Sequence, residues 1–516
     1  MESTIYGVWK NRRRKYKMIL GIDNYNSFSY NLVYNKKMME RKFYKHIKQL
    51  MQSPHHRFHM PGHKGKNMGM DDWNDLDITE LPDTDNLNKP EAELLELEET
   101  IAKIYGAKRS HILVGGSTLG NLAGILGATQ KGDQILVPLN CHKSIYSALT
   151  VAQVEGIFIM PESNPYIGEA TTISVDTVVK ALEENPNVVG MVMTNPAYNG
   201  AMSDLEAIAR VLHKDGKWLM VDEAHGAHLV FSELMPQSAL EQGADLVVQS
   251  AHKTLMAPTQ TALIHFGSDR ISIKKVENFL TMLQSSSPSY PLIFGVEAGV
   301  AHGVNYGESV LKILANNWDA RFKQDQETTP PIRMICTSED AQQYDKTKWV
   351  FYVENGMGME IEKRLRKKDN LWLEYARPHM LMAYMGMGTT QEDMDYLLLT
   401  IDKLNGNIKE RTSVTIKESF AYNRVPQLAM DTGTALQMDS TQSIKIEDSV
   451  GQISANFVIP YPPGIPALLP GEIISLAVAK ALQKSWSKGE EIVGMTQDGR
   501  IEILEEKDQI KQRKKI

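Results

Sequence analysis

Five short apolar runs, each followed by a glycine-rich or polar turn, constrain the fold of this chain most strongly. The runs are Ser110–Val114, Gln134–Val137, Val188–Met193, Trp218–Val221 and Leu246–Val248. Their apolar residues are continuous rather than alternating, which is typical of strands that are buried on both faces. Helical segments separate the runs along the chain. The pattern therefore predicts an α/β fold in which helices cover both faces of a parallel sheet.

The length of 516 residues predicts two or three domains. We predict an atypical basic leader at 1–50, a large domain at 51–322 and a smaller C-terminal α/β domain at 332–516, with Gln324–Pro331 as the linker. In the leader, Met18–Val33 resembles the first strand and turn of glutamine amidotransferase subunits. Nothing downstream supplies the catalytic residues of that family, so we predict no such activity. A poorly ordered basic tail is the alternative.

The composition excludes several classes of function. Lysine and arginine total 56 against 63 acidic residues, a formal net charge of -7, so the chain lacks the basic footprint that nucleic acids require. The two cysteines, Cys141 and Cys336, argue against a disulfide framework and a multi-cysteine zinc site. No apolar stretch approaches the roughly 20 residues of a membrane span, and the start does not read as a secretory signal. We therefore expect a cytoplasmic protein that acts on a small molecule.

Lys253 is the first candidate for chemistry. It lies in Gln249–Leu255, directly after the last apolar run, and Asp222 follows the run before it. The amine can form a Schiff base with the aldehyde of pyridoxal 5'-phosphate (PLP), and the carboxylate can keep the pyridine nitrogen of that cofactor protonated. A polar turn with an exposed lysine is the alternative interpretation of this segment alone.

Other residues that follow predicted strands could hold the same cofactor. The segment Gly115–Asn121 opens a helix, so its backbone amides and the hydroxyls of Ser117 and Thr118 can face a phosphate. His142 could stack on the pyridine ring. The further candidates are His225 beside Asp222, and Ser250 and His252 for contacts to the phosphate. Ligands of such sheets bind beyond the carboxyl ends of the strands, where all these residues are predicted to lie.

Eight ordered motifs support one family. They are Phe58–Gly65, Asp77–Glu80, Asn140–Ser144, Val221–His228, Ser250–Leu255, Ser285–Tyr290, Tyr461–Pro466 and Pro470–Glu472. With them the chain resembles the Orn/Lys/Arg decarboxylase family, the group III PLP-dependent basic amino acid decarboxylases, from about residue 55 to beyond 480. The resemblance implies the aspartate aminotransferase fold (PLP fold type I) and a carboxy-lyase.

The resemblance also implies a partner and further site residues. Similar enzymes are at least dimers, in which Ser286 and Ser287 are expected to reach the cofactor phosphate of the neighbouring subunit. About fifty residues precede the motifs, so the chain resembles the shorter branch without the wing domain that assembles decamers. Asp77 and Glu472 are candidates for the cationic end of the substrate. The α-carbon would be reprotonated by His252 or Lys253.

Three departures from the family pattern affect the expected site. Gly115–Thr118 replaces the more usual Asn-Gly-Thr-Thr/Ser, and Ala251 stands where threonine is common. Both changes keep hydroxyls and backbone amides, so we expect phosphate binding to survive. In Asp85–Leu87 an asparagine stands where Asp-Asp-Leu is common, which removes a possible carboxylate near the entrance and affects substrate choice.

We expect decarboxylation of a basic amino acid, with arginine slightly favoured over lysine and ornithine and agmatine feeding polyamine synthesis. The alternative is a PLP fold type I aminotransferase, in which Arg377 could clamp the α-carboxylate, although its surroundings match no aminotransferase motif. A PLP-binding transcription regulator would need a winged helix-turn-helix ahead of the cofactor domain. An inactive scaffold is disfavoured because Lys253, Asp222 and His142 are all present.

Overall fold

The computed structural model describes residues 55–68, 77–81, 83–338, 343–408, 424–461 and 464–505. The chain divides after Pro54, and every described residue belongs to the unit formed by residues 55–516. The predictions made for the leader at 1–50, including Met18–Val33, lie outside the described residues.

The described residues form twelve helices longer than a 3-10 turn and nineteen strands. The helices are α1 (Glu93–Tyr105), α2 (Gly116–Ala128), α3 (Lys143–Ala152), α4 (Val175–Glu184), α5 (Leu205–Lys214), α6 (Ala251–Thr254), α7 (Ile273–Leu283), α8 (Tyr290–Thr328), α9 (Gly358–Lys368), α10 (Gln391–Asn405), α11 (Thr432–Leu436) and α12 (Leu476–Ser487). The strands are β1 (His56–Phe58), β2 (Arg109–Leu113), β3 (Gln134–Pro138), β4 (Glu155–Ile159), β5 (Ser163–Asn164), β6 (Glu169–Ala170), β7 (Val188–Thr194), β8 (Trp218–Asp222), β9 (Leu246–Gln249), β10 (Ala262–Phe266), β11 (Ile332–Ile335), β12 (Lys348–Val353), β13 (Leu371–Leu373), β14 (Tyr375–Arg377), β15 (Met380–Tyr384), β16 (Thr441–Lys445), β17 (Ile459–Pro460), β18 (Ile492–Val493) and β19 (Arg500–Leu504).

The large sheet has seven strands in the order β2-β10-β9-β8-β7-β3-β4. The five predicted strands are β2, β3, β7, β8 and β9, each within one residue of its predicted ends. The pairs among β9, β8, β7 and β3 are parallel, as predicted. Strand β4, which was not predicted, pairs in parallel with β3. Strand β10 was not predicted and runs antiparallel to both of its neighbours, β2 and β9.

Helices cover both faces of this sheet, as the continuous apolar strands predicted. On one face α2, α3 and α7 share a core with the strands, and on the other face α4 and α5 do so. Helix α2 lies close to the sheet because Gly120 faces it. A Cβ atom at Gly120 would lie 2.7 Å from Val248 and 2.8 Å from Leu113. This close packing sets the N-terminus of α2 against the end of β2.

A second sheet follows α8 and has the antiparallel order β11-β12-β15-β14. The apolar run Trp349–Val353 lies in strand β12, and Met394–Leu404 lies in helix α10. Strand β1 pairs in parallel with β13, which brings the start of the described chain beside this region. None of the helices in the described ranges combines the length and apolar character needed to cross a membrane.

The prediction of a linker at Gln324–Pro331 is wrong for most of its length. Helix α8 continues to Thr328. Its last turns are fixed by Asp325, whose buried carboxylate accepts hydrogen bonds from Arg321 Nε at 2.9 Å and from the Met334 amide at 2.6 Å. The polar segment is therefore the C-terminal end of helix α8, which is hydrogen-bonded to β11 through Asp325.

The described part of the predicted small domain at 332–516 does not pack around a single core. Strands β11, β12 and β15 pack with α8 and α10 in the core that also holds α1. The segment from β16 to β19 forms its own core with α12, with Val458, Leu468 and Val478 among its buried residues. The segment from β16 to β19 also brings Tyr461 and Ile465 beside residues at the edge of the large sheet.

Candidate active site

A cavity of about 450 Å³ opens at the carboxyl ends of the strands of the large sheet. Its lining residues are His59, Met60, Pro61, Gly116, Ser117, Thr118, Asn140, His142, Thr194, Tyr198, Asp222, Ala224, His225, Ser250, His252, Lys253, Thr259, Glu374, Tyr461 and Ile465. All eight predicted residues that follow strands of this sheet therefore line one cavity. Its volume lies within the usual range for small-molecule sites.

Lys253 lies on the one-turn helix α6, immediately after β9. Its Nζ is 3.0 Å from Nε2 of His225. Burial lowers the pKa of Lys253 to about 8, and the carboxylates of Asp222 and Glu374 counteract part of this effect. An amine with such a pKa is partly neutral near physiological pH and can act as a nucleophile.

Asp222 ends β8 and is 2% exposed. Its Oδ2 accepts a hydrogen bond from Asn121 Nδ2 at 3.0 Å, and its Oδ1 accepts one from the Ala224 amide at 3.2 Å. Burial raises the pKa of Asp222, whereas Lys253 and Asn121 lower it. The sequence analysis missed Asn121. The signal that could have revealed Asn121 is its polar amide on α2, one turn after Ser117, on the helix face that packs against the sheet.

The first turn of α2 can hold an anion. Gly115 is its N-cap, and no side chain in the described residues caps its first amides. Gly116 has φ of +72°, a backbone conformation that favours glycine. The Ser117 hydroxyl accepts a hydrogen bond from Ser250 Oγ at 3.0 Å, so hydroxyls from two strand ends meet here. Free amides, the helix dipole and these hydroxyls fit the phosphate of PLP.

His142 is held rigidly at the N-cap of α3. Its Nδ1 accepts from the Ser144 amide at 3.2 Å and lies 2.9 Å from Ser144 Oγ. Asn121 donates to the same Oγ at 3.0 Å, so one amide supports both His142 and Asp222. Burial lowers the pKa of His142 to about 3. The ring is therefore neutral and oriented, as a group stacked on a cofactor ring requires.

Two further histidines that line the cavity, His252 and His59, carry no proton on Nε2. Nδ1 of His252 is 2.9 Å from the carbonyl oxygen of Thr261, and Nδ1 of His59 is 2.6 Å from that of Met60. A carbonyl only accepts, so both rings carry their proton on Nδ1. Burial lowers the pKa of His252 to about 4 and also lowers the pKa of His59. His59 Nε2 is buried without a hydrogen-bond partner in the described part of the chain.

Glu374, between β13 and β14, is the second carboxylate among the described lining residues, after Asp222. Its Oε1 accepts from the Tyr198 hydroxyl at 2.6 Å, and its Oε2 accepts from the Met60 amide at 2.9 Å. Met60 thus bonds Glu374 through its amide and His59 through its carbonyl. Sequence reasoning missed Glu374, His59 and the cavity side of Tyr461, because no local pattern places them at the large sheet. It assigned no role to Tyr198, although that residue lies in the turn after β7 at the edge of this sheet.

The structure does not bring the other predicted residues to this cavity. Ser286 and Ser287 are exposed ahead of α8, and Asp77 is exposed. The prediction of Glu472 at the substrate end is wrong for the cavity of its own chain. Its buried carboxylate pairs with Arg424 and accepts from the Leu469 amide at 2.9 Å.

The substitution in Asp85–Leu87 also lies away from the cavity. The carboxylate of Asp85 accepts hydrogen bonds from the amides of Ala92 and Leu94 at the start of α1, and Oδ1 of Asn86 accepts from the Asn88 amide at 2.9 Å. Neither Asp85 nor Asn86 lines the cavity. The expectation that this change affects substrate choice stays a prediction.

Profiles of known families identify the chain. The profile "Orn/Lys/Arg decarboxylase, major domain" matches residues 42–351, and the profile of the C-terminal domain of that family matches residues 415–497. The chain belongs to the Orn/Lys/Arg decarboxylase family. It is a PLP-dependent decarboxylase of basic amino acids, which confirms the resemblance, the enzyme class and the cofactor predicted from the sequence.

Individual relatives agree with this assignment. YaaO of Bacillus subtilis strain 168, named as an uncharacterized protein, is 31% identical over 86% of this chain and 94% of its own length. An arginine decarboxylase of Halalkalibacterium halodurans is 31% identical over 81% of this chain and 88% of its own length. Lysine decarboxylase A from Pseudomonas aeruginosa has a TM-score of 0.70 at 19% identity, covering 83% of this chain and 73% of that one. The last likeness confirms PLP fold type I.

Proposed function

We propose that this enzyme decarboxylates arginine in preference to lysine and ornithine. The observation that carries the proposal is the wall formed by Glu374, Met60 and His59, where a carboxylate and a bare imidazole nitrogen lie on either side of one residue. A guanidinium presents several donors in one plane and matches such a set of acceptors better than an ammonium does. Relatives named arginine decarboxylase support the same substrate. The product would be agmatine, for polyamine supply.

The residues at the sheet edge would hold the cofactor. We assign Lys253 to the covalent link, Asp222 to the ring nitrogen, His142 to the ring face and His225 to the ring edge. The phosphate would be bound by the amides of α2 with Ser117, Thr118, Ser250 and His252. When bound, PLP accepts the electron pair that the departing carboxylate leaves behind. Asn121 keeps Asp222 oriented for this task through the bond from Nδ2 to Oδ2.

Lys253 rather than His252 would return the proton to the α-carbon. The reaction breaks the bond between the α-carbon and its carboxylate, releases carbon dioxide and consumes one proton. Burial lowers the pKa of His252 to about 4, and its Nε2 is bare, so it has no proton to give at neutral pH. Lys253, with its pKa lowered to about 8 by burial, can carry a proton on Nζ.

We further propose a homodimer with a shared site. Ser286 and Ser287 are exposed and do not line the cavity of their own chain, which leaves them available to a neighbouring subunit. The test mixes subunits that carry Lys253→Ala with subunits that carry Ser286→Ala and Ser287→Ala. If the serines act across the interface, each hybrid dimer has one intact site, so activity should rise to about a quarter of the wild-type value on random mixing. No gain over the separate variants would contradict a shared site.

The decisive experiment measures amine and carbon dioxide from arginine, lysine and ornithine with added PLP. We expect agmatine as the preferred product, with kcat/KM highest for arginine, and loss of all three activities in Lys253→Ala. A higher kcat/KM for lysine or ornithine would overturn the arginine preference. A 2-oxo acid product would instead support an aminotransferase. Arg377 gives that alternative little support, because its guanidinium is engaged by Glu169 and Glu490 outside the main cavity.

A further inference from the structure

His225 is held from three sides at the centre of the site. Its Nε2 faces Lys253 Nζ at 3.0 Å, and its Nδ1 lies 3.2 Å from the hydroxyl of Tyr384, the last residue of β15. Its main-chain carbonyl accepts a hydrogen bond from Lys348 Nζ at 2.9 Å. His225 and Tyr384 are both buried. Two residues of the second sheet thus fix an imidazole that belongs to the large sheet.

The partners of Tyr384 determine which nitrogen of His225 carries the proton. The Tyr384 hydroxyl has one hydrogen and bonds both the carbonyl oxygen of Tyr198 and Nδ1 of His225. The carbonyl can only accept, so the hydroxyl hydrogen goes to Tyr198. Nδ1 of His225 must then donate to the Tyr384 oxygen, which leaves Nε2 bare. Burial, with Lys253 and Lys348 nearby, lowers the pKa of His225, so the ring stays neutral.

A fully buried ion pair supports this arrangement. Lys348 Nζ donates to Asp345 Oδ2 at 2.6 Å and to Thr347 Oγ1 at 3.0 Å, besides its bond to His225, so its three donors are all satisfied. Lys348 also lies over the Tyr384 ring, 5.1 Å from the centroid. Buried pairs often add little net stability compared with apolar residues of similar size. Here the pair fixes the position of the His225 main chain.

We propose that Tyr384 is a positioning residue that keeps His225 in the tautomer protonated on Nδ1, so that Nε2 accepts an N–H of Lys253. With one N–H directed at His225, the lone pair of the neutral amine points elsewhere and is free to attack. In the other tautomer, His225 Nε2–H would donate to that lone pair and block it. The inference deepens the proposed function and takes its catalytic meaning from it, whereas the tautomer itself is a property of this chain.

The test compares Tyr384→Phe with Tyr344→Phe. Tyr344 is an equally buried tyrosine whose hydroxyl donates to a main-chain carbonyl, that of Lys348, without contact to His225. In wild type, the ¹⁵N spectrum of histidine-labelled, PLP-free protein should show His225 protonated on Nδ1, with the signal assigned by its loss in His225→Gln. In Tyr384→Phe a population protonated on Nε2 should appear. PLP should then attach about fivefold more slowly, the change expected from loss of one neutral hydrogen bond.

The outcomes decide the proposal without reference to substrate. A wild-type His225 signal protonated on Nε2, or on both nitrogens, would overturn it. So would rates of PLP attachment that are the same in Tyr384→Phe and Tyr344→Phe. The wild-type tautomer needs only the His225→Gln reference, so the question is answered even if Tyr384→Phe does not fold. If the tautomer is as expected but no basic amino acid is decarboxylated, the proposed function fails and this inference stands.

Discussion

The cavity has two sides that are built in different ways. The side predicted to hold the cofactor comes from the ends of neighbouring strands, with Ser117, Asp222 and Lys253 each following a strand of the large sheet. The side proposed for the substrate comes from separate parts of the chain, namely 59–61, Glu374 and Tyr461. Parallel strands gather residues at one edge by a general rule, whereas the second side depends on how distant segments pack. Reaction type therefore follows from local sequence, and substrate choice from tertiary structure.

The largest effect is expected on the cofactor side, at Asp222. Asp222→Asn removes the negative charge but keeps the size of the side chain, and kcat should fall about a thousandfold, as for the loss of one preorganised electrostatic contact. PLP should still attach to Lys253, which an absorbance spectrum would show. Asp215→Asn, at the exposed end of α5, is the control and should be close to wild type. A mild loss in Asp222→Asn would contradict the role given to this carboxylate.

The contact between the second sheet and His225 on the cofactor side can be broken at Lys348. Lys348→Met leaves Asp345 buried without its cation, and the free energy of unfolding should fall by ~3–5 kcal/mol. The matched control is Lys346→Met. Its partner Asp319 is half exposed, so that pair should contribute at most ~1 kcal/mol. Urea unfolding measures both. Equal losses in the two variants would mean that the buried pair does not hold the sheets together at His225.

Glu374 tests the substrate side alone. Glu374→Gln keeps the contacts to Tyr198 and Met60 within reach but removes the charge, so kcat/KM for arginine should fall about 10- to 100-fold, mainly through KM. Attachment of PLP should change little. Glu362→Gln, in the smaller neighbouring cavity, is the control. If Glu374→Gln impaired cofactor attachment as strongly as turnover, the division of the cavity into two sides would be wrong.

A separate effect on the cofactor side concerns acid stability. Burial lowers the pKa of His252 to about 4 from an ordinary 6.5, so between these values the unfolded state binds more protons than the folded state. The contribution of His252 is therefore complete above pH 6.5 and is lost as the pH falls to 4, by ~3 kcal/mol in total. In His252→Gln the fall in unfolding free energy over this range should be smaller by that amount. His55→Gln, outside the cavity, should follow wild type.

The sequence was sufficient for five of the seven strands of the large sheet and for the eight predicted residues that line the cavity, because both have local signals. Continuous apolar runs located five strands, and each polar turn after a strand supplied site residues. Strand β10 was missed because a short apolar run by itself does not distinguish a strand from a buried helix segment, and it also does not reveal the strand's direction. Glu472 was a candidate by resemblance to the family, and the sequence alone does not reveal that its carboxylate pairs with Arg424. Glu374 gave no sequence signal, since its position in the cavity depends on contacts to Met60 and Tyr198, which are distant along the chain.

The wall that carries Tyr461 and Ile465 is the last part of the cavity to be synthesised. The amide of Lys143, at the start of α3, donates to the carbonyl of Gly464 at 3.1 Å, so the late segment is tied directly beside His142. A ribosome that has just passed Glu374 has already made every acid and every imidazole among the described residues that line the cavity. The nascent chain nevertheless lacks one wall until the segment at Tyr461 emerges. Translation therefore completes the reactive groups first and the compartment that contains them last.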